Sequence, residues 1–179
     1  PYTAHAPGYA LIMAATFLVF GKSNYFALVI LQLVLLAASG LMLRRVTELY
    51  LPGWGDLSLA LLLFNPNALA QVHLVQTNAT EIFFVTAAFT AIAVFGRQPR
   101  FWLVLLCGLA IGLAMLVRPL SQFLALILPV LVPLLVVLGG QPRLWRRAVL
   151  WGLLGAALAG AVGTPWMWHM YEAGQKFRM

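Results

Sequence analysis

TEIFFVTAAFTAIAVFGRQPRFWLVLLCGLAIGLAMLVR, residues 80–118, is two apolar runs joined by one polar tetrapeptide. Thr80–Gly96 and Phe101–Val117 each hold enough residues, at about 1.5 Å per residue, to cross most of a hydrocarbon layer about 30 Å thick. Arg97-Gln98-Pro99-Arg100 is a tight turn, so the runs form an antiparallel helical hairpin. Two such helices leaving one turn bring their far ends, Glu81 and Arg118, to nearly equal depth, within roughly 3 Å. A salt bridge across the hairpin follows as an expectation.

The rest of the chain repeats the pattern. It has 179 residues, 63% hydrophobic and 8% charged, with a mean hydropathy of +0.96, outside the range of a domain that must cover itself with polar surface. This composition defines an integral membrane protein. A charge of +7 invites a nucleic-acid reading, but the basic residues cap apolar stretches and form no aromatic-interleaved stripe, so nucleic acid is excluded as a partner. The single cysteine, Cys107, lies inside an apolar run and reads as packing. Pro1 opens the chain with neither an initiator Met nor a basic leader, so it reads as one membrane domain, residues 1–179, with its start missing.

Helices are expected over 24–43, 57–75, 80–96, 101–117, 119–138 and 148–165, the second interrupted at Asn65-Pro66-Asn67. Such a break survives in a bilayer only where protein or water covers it. Residues 10–20 are apolar but too short to cross, and should lie in the interface or re-enter. The fold class is therefore all-α: a polytopic transmembrane bundle of about six spanning helices with an interfacial N-terminal helix. The loops expected on one side are Val46–Asp56, the hairpin turn and Gly139–Arg147. Gly108 and Gly112 give the fourth helix a GxxxG face for close contact, and Pro129 and Pro133 should kink the fifth.

Charge orients this bundle. Arg44, Arg45, Arg97, Arg100, Arg143, Arg146 and Arg147, seven of the eleven basic residues, mark one side; Lys22, Arg118, Lys176 and Arg178 fall on the other. By the positive-inside bias the arginine-rich side is cytoplasmic. His5, Glu81 and Glu172 then share the outer side with Arg118, so the candidate site faces periplasm or lumen.

Gln71, His73, Gln76, Thr77, Asn78, Thr80 and Glu81 concentrate polar groups at one helix end, and each would cost kilocalories in hydrocarbon unless wet or hydrogen-bonded. This end is expected to border a polar cavity. Glu81 has a structural reading as well: Asn78-Ala-Thr-Glu81 has capping-box spacing, with Asn78 as N-cap. Arg118 equally suits the C-terminal dipole of its helix. If the two pair, Arg118 holds a fixed charge at the cavity floor, suited to a phosphate or diphosphate. His5 could donate to phosphate, and Tyr9 could anchor at the headgroups. No metal motif, phosphate-cradling glycine loop or catalytic triad is present; a metal site built from this segment alone is not expected, though a divalent metal stays open as a cofactor.

The order of features carries a resemblance: His5-Ala-Pro-Gly-Tyr9, Phe20-Gly21-Lys22-Ser23, a helix ending Arg44-Arg45, Asn65-Pro66, Thr80-Glu81, the run Gly108-Leu-Ala-Ile-Gly-Leu-Ala-Met-Leu-Val-Arg118-Pro119, and Thr164-Pro165-Trp166 running to Tyr171. This series resembles the GT-C polytopic glycosyltransferases of the protein-mannosyltransferase and aminoarabinose-transferase type, family 39, over nearly the whole chain. The resemblance implies a sugar taken from a polyprenyl-phosphate carrier on the outer membrane face and passed to a lipid, glycan or protein hydroxyl, in a bacterial inner membrane. On the family's pattern His5 falls where a basic residue usually stands, and Thr80, Glu81 and Arg118 match positions beside the outer cavity; His5, Tyr9, Gln76, Asn78, Glu81 and Arg118 are the candidate substrate-binding residues, with membrane lipids as further partners. The resemblance also implies that the family's first helix, first outer loop and C-terminal part are missing, and with that loop the acidic base, expected upstream of Pro1, so no catalytic residue is assigned within the chain. One departure is Ala6, where the family has a second proline before the glycine. Two other classes stay open: a transporter or flippase subunit using the broken helix as its pathway, although no inverted repeat is visible, and a structural subunit in which Glu81 and Arg118 are only caps.

Overall fold

The computed structural model describes residues 7–22, 24–73 and 77–172, and these form eight α-helices. In chain order they are α1 (Pro7–Phe20), α2 (Tyr25–Tyr50), α3 (Gly55–Leu63), α4 (Pro66–His73), α5 (Asn78–Arg97), α6 (Phe101–Val117), α7 (Gln122–Leu138) and α8 (Trp145–Glu172). Short 3₁₀ turns at Pro119–Ser121 and Pro142–Leu144 lead into α7 and α8. Four stretches are long and apolar enough to cross a membrane: Tyr25–Tyr50, Asn78–Arg97, Pro119–Leu138 and Pro142–Trp168. The other two expected passes fall on shorter elements, the apolar α6 of 17 residues and the interrupted α3–α4, and α1 has 14 residues.

α6 is the central helix. Ten of its residues between Leu103 and Val117 are buried, Leu106 and Leu109 stay exposed, and α1, α5, α7 and α8 all pack on it. A helix apolar all round and packed on by four others has no need of an amphipathic stripe. α8 runs parallel to it, and the two approach through glycine. A Cβ on Gly108 would run into the Gly155 carbonyl, and one on Gly112 would lie 2.7 Å from Val162 Cβ and 3.1 Å from the Ala159 carbonyl oxygen. Gly152 similarly lets α8 meet the α7 backbone, where a Cβ would stand 2.6 Å from the Leu128 carbonyl oxygen. The GxxxG spacing thus serves α8. Around these contacts Phe95, Val104, Cys107, Leu128 and Val132 fill the main core, so Cys107 is packing.

Several boundaries differ from expectation. α2 continues past Arg44-Arg45 to Tyr50, leaving only residues 51–54 as the loop. Arginines end an apolar run without ending a helix, since both are good helix formers and can reach water along their stems. Glu48 then closes the turn: its carboxylate accepts the N–H groups of Gly53 at 2.9 Å and Gly55 at 3.1 Å, while Arg44 pairs with Asp56 at 2.7 Å. α8 begins at Trp145 and continues through Pro165, so Arg146, Arg147, Trp166 and Trp168 are helical rather than flanking.

The break at Asn65-Pro66 is present. Asn65 Oδ1 accepts the N–H groups of Asn67 at 2.9 Å and Ala68 at 3.3 Å, capping α4 where proline cannot continue α3. α4 buries Ala68 and Val72 against Leu36 of α2 and Ala79 of α5, but Asn65, Pro66 and Asn67 face away from the bundle, exposed. The expectation that this half-helix faces protein holds for one side of it only.

The arginine-rich turns gather at one end. Arg97 donates from Nη2 to the Leu49 carbonyl at 3.1 Å and lies over the Tyr50 ring, 4.8 Å from its centroid. The Tyr50 hydroxyl donates to the Ala93 carbonyl at 2.7 Å. Glu81 and Arg118 lie at the opposite end of the same helices.

Candidate functional site at the end of the central helix

Arg118 stands where α6 stops. Its N–H still bonds the Ala114 carbonyl at 2.7 Å, but its own backbone is extended, φ −146° and ψ 113°, as a residue before proline must be. Pro119 therefore sets the helix end and turns the Arg118 side chain away from the helix axis. Its guanidinium donates from Nη1 to Glu81 Oε2 at 3.0 Å. The Arg118 side chain is 52% exposed and that of Glu81 19%. A guanidinium has five N–H donors, so this single bond orients the cation and leaves most of its capacity facing solvent.

The expected capping box does not form. α5 begins one residue earlier than the box requires, with Thr77 at the N-cap position and Asn78 inside the first turn, and no side chain caps the helix from Thr77. Glu81 turns to Arg118 instead: a full opposite charge outcompetes a backbone N–H that water can reach. Beside it Thr80 is 1% exposed, and its hydroxyl oxygen has no hydrogen-bond partner among the described residues.

Tyr9 is buried within the protein, and its hydroxyl accepts from Gln32 Nε2 at 2.9 Å, which ties α1 to α2. Burial raises the Tyr9 pKa, partly offset by the Gln32 bond, so the hydroxyl stays neutral. Next to it Gly8 lets α1 touch α6, where a Cβ would meet the Leu116 carbonyl oxygen at 2.7 Å. Tyr9 and Gly8 thus hold α1 against the Arg118 end of the bundle, a task their Pro-Gly-Tyr context did not disclose. His5, Gln76 and the side chains of Gln71 and His73 lie outside the described residues. Among the described residues no three His, Cys, Asp or Glu side chains cluster as metal ligands would.

An apolar groove of about 100 Å³ opens between α5, α6 and α7, walled by Ala88 and Ile92, Cys107 and Ile111, and Leu124 and Leu128 among others. The polar cavity expected beside Glu81 is not this space, which no polar side chain lines. The two are aligned, however. Ala88 follows Glu81 and Ile111 precedes Arg118 by two helical turns, so the ion pair caps the stripes of α5 and α6 that wall the groove.

These features define a polytopic α-helical membrane protein whose central helix ends in a guanidinium oriented by a carboxylate of the preceding helix. A family model described as dolichyl-phosphate-mannose-protein mannosyltransferase matches residues 4–169. The chain belongs to that family, and so to the membrane glycosyltransferases of GT-C type. Comparisons with curated proteins and with solved structures gave no match.

Proposed function

We propose that the chain is the membrane part of an enzyme that moves a sugar from a polyprenyl-phosphate carrier to an acceptor hydroxyl on the outer face of the membrane. The observation that carries this reading is the Arg118–Glu81 pair. Attack of the acceptor oxygen on the anomeric carbon releases a carrier phosphate, and the departing charge needs fixed positive charge. Arg118 supplies it, half-exposed and already oriented. Glu81 holds the guanidinium in place through Oε2 and is assigned that positioning role, not the general base's. The groove two turns below the pair accepts the carrier's first isoprenoid units, keeping them apolar-lined while the phosphate stays with Arg118. Asn78, in the first turn of α5, would contact the sugar, with His5 and Gln76 assisting; Tyr9 positions α1.

Arg118→Ala in the full-length protein is expected to lower transfer from a polyprenyl-phosphate-sugar by about 100-fold or more while the protein stays inserted and folded. Arg118→Lys should recover part of it, because an ammonium keeps the charge but loses the planar fork. Unchanged turnover in Arg118→Ala, measured with radiolabelled sugar, would overturn the reading.

A further inference from the structure

The end of the bundle opposite Arg118 carries arginines that pair with no carboxylate among the described residues. Its carboxylates are Glu48, Asp56, Glu81 and Glu172. Glu48 accepts the N–H groups of Gly53 and Gly55, Asp56 pairs with Arg44, and Glu81 pairs with Arg118. Glu172 ends α8 at its far end. Arg100, Arg143, Arg146 and Arg147, all exposed, stand where α6 and α8 begin, and no acid lies in the first turn of either helix.

These arginines gain nothing from the helices they open. The backbone at a helix start carries partial positive charge and favours a carboxylate over a guanidinium. Packing draws them together all the same. α6 and α8 are parallel, with Gly108 against Gly155 and Gly112 against Ala159; the same pairing, continued to the start of both helices, sets Arg100 level with Arg147. Arg146 lies over the Trp145 ring, 5.7 Å from its centroid, a cation–π contact that uses none of its charge on a carboxylate. Trp102 and Trp145, each about half exposed, flank the cluster with rings that prefer headgroup depth. One to two turns further into the bundle, Leu106 on α6 and Leu150 and Leu153 on α8 are exposed apolar surface.

We propose that this end of the α6–α8 pair is a binding site for an anionic phospholipid, with the phosphodiester held by Arg100, Arg146 and Arg147 and the acyl chains lying along the exposed leucines. The apolar surface below the arginines and the flanking indoles favour a lipid over a free phosphate, which would use the charge alone.

The test is native mass spectrometry of the full chain, released from detergent with dioleoyl phosphatidylglycerol or dioleoyl phosphatidylcholine. Wild type is expected to retain the first in preference to the second. The triple variant Arg100→Gln/Arg146→Gln/Arg147→Gln should bind phosphatidylglycerol on the order of 100-fold more weakly, given the contribution of each arginine near an anionic headgroup. Arg45→Gln, at the same end but off this helix pair, should bind as wild type does. Should the triple variant fail to fold, Arg146→Gln alone is expected to weaken binding about fivefold. Equal retention of the two lipids, undiminished binding in the variants, or equal loss in Arg45→Gln would overturn the proposal. So would displacement of the lipid by an equimolar amount of inorganic phosphate, which would make the site one for phosphate alone.

Discussion

The contact of α6 with α8 and that of α2 with α3 both place a glycine at a helix crossing, yet they are built differently. At Gly108 the neighbour is backbone, the Gly155 carbonyl; at Gly40 it is the end of a side chain, Leu59 Cδ1, 2.7 Å from where a Cβ would be. The first contact sits in a core shared by α5, α6, α7 and α8, the second beside a helix that breaks at Asn65 and leaves much of its surface open. Backbone cannot move aside without shifting a helix, whereas a leucine can change rotamer. The half that presents Arg118 is therefore rigid, and the half formed by α2, α3 and α4 is adaptable. A fixed charge placed for a leaving phosphate belongs on the rigid half.

That contrast is most exposed to failure at Gly108. Gly108→Ala must push α8 away from α6, and despite the helix propensity gained it is expected to destabilise the protein by about 2–3 kcal/mol, read as a lower melting temperature in detergent. Because α6 ends in Arg118, the same substitution should also reduce sugar transfer. A melting temperature at the wild-type value would mean that the two helices are not in close contact. A smaller effect is expected at the join between the halves. Tyr9→Phe removes the hydroxyl that Gln32 meets inside the protein, costing about 1 kcal/mol, and should appear as faster amide exchange in α1 with α6 unchanged. Exchange that rises equally in α6 would show that α1 is part of the rigid half.

The hairpin of α5 and α6 was legible because two apolar runs of nearly equal length and one polar turn leave little freedom, and the Glu81–Arg118 pair followed from counting rise per residue. The proline break at Asn65 was legible for a similarly local reason, the missing N–H. What was hidden depends on partners remote in sequence. GxxxG spacing says that something approaches Gly108, not that it is Gly155; an apolar run says that α6 is buried, not that four helices surround it. The Tyr9–Gln32 bond joins residues 23 apart, and nothing near Tyr9 announces it. The misjudged ends of α2 and α8 have another cause: charged and aromatic residues mark where the hydrocarbon stops, while the helix itself continues into the polar layer. The capping box failed because spacing names a capable acceptor without naming its competitors, and Arg118 was the stronger one.

The smallest effect tests the adaptable half directly. Gly40→Ala places a methyl against Leu59 Cδ1 and nearer Leu63 Cδ2, both at the free ends of rotatable side chains. Replacing glycine inside a helix gains up to about 1 kcal/mol of propensity, and turning one leucine costs about the same. The expected change in stability is thus within about 0.5 kcal/mol of zero. The comparison is sharp because the chemical change is the same methyl in the same kind of helix; only the neighbouring atom differs. If Gly40→Ala proves as damaging as Gly108→Ala in the same melting experiment, then the α2–α3 crossing is as unyielding as α6–α8, and the division of the bundle into a rigid and an adaptable half is wrong.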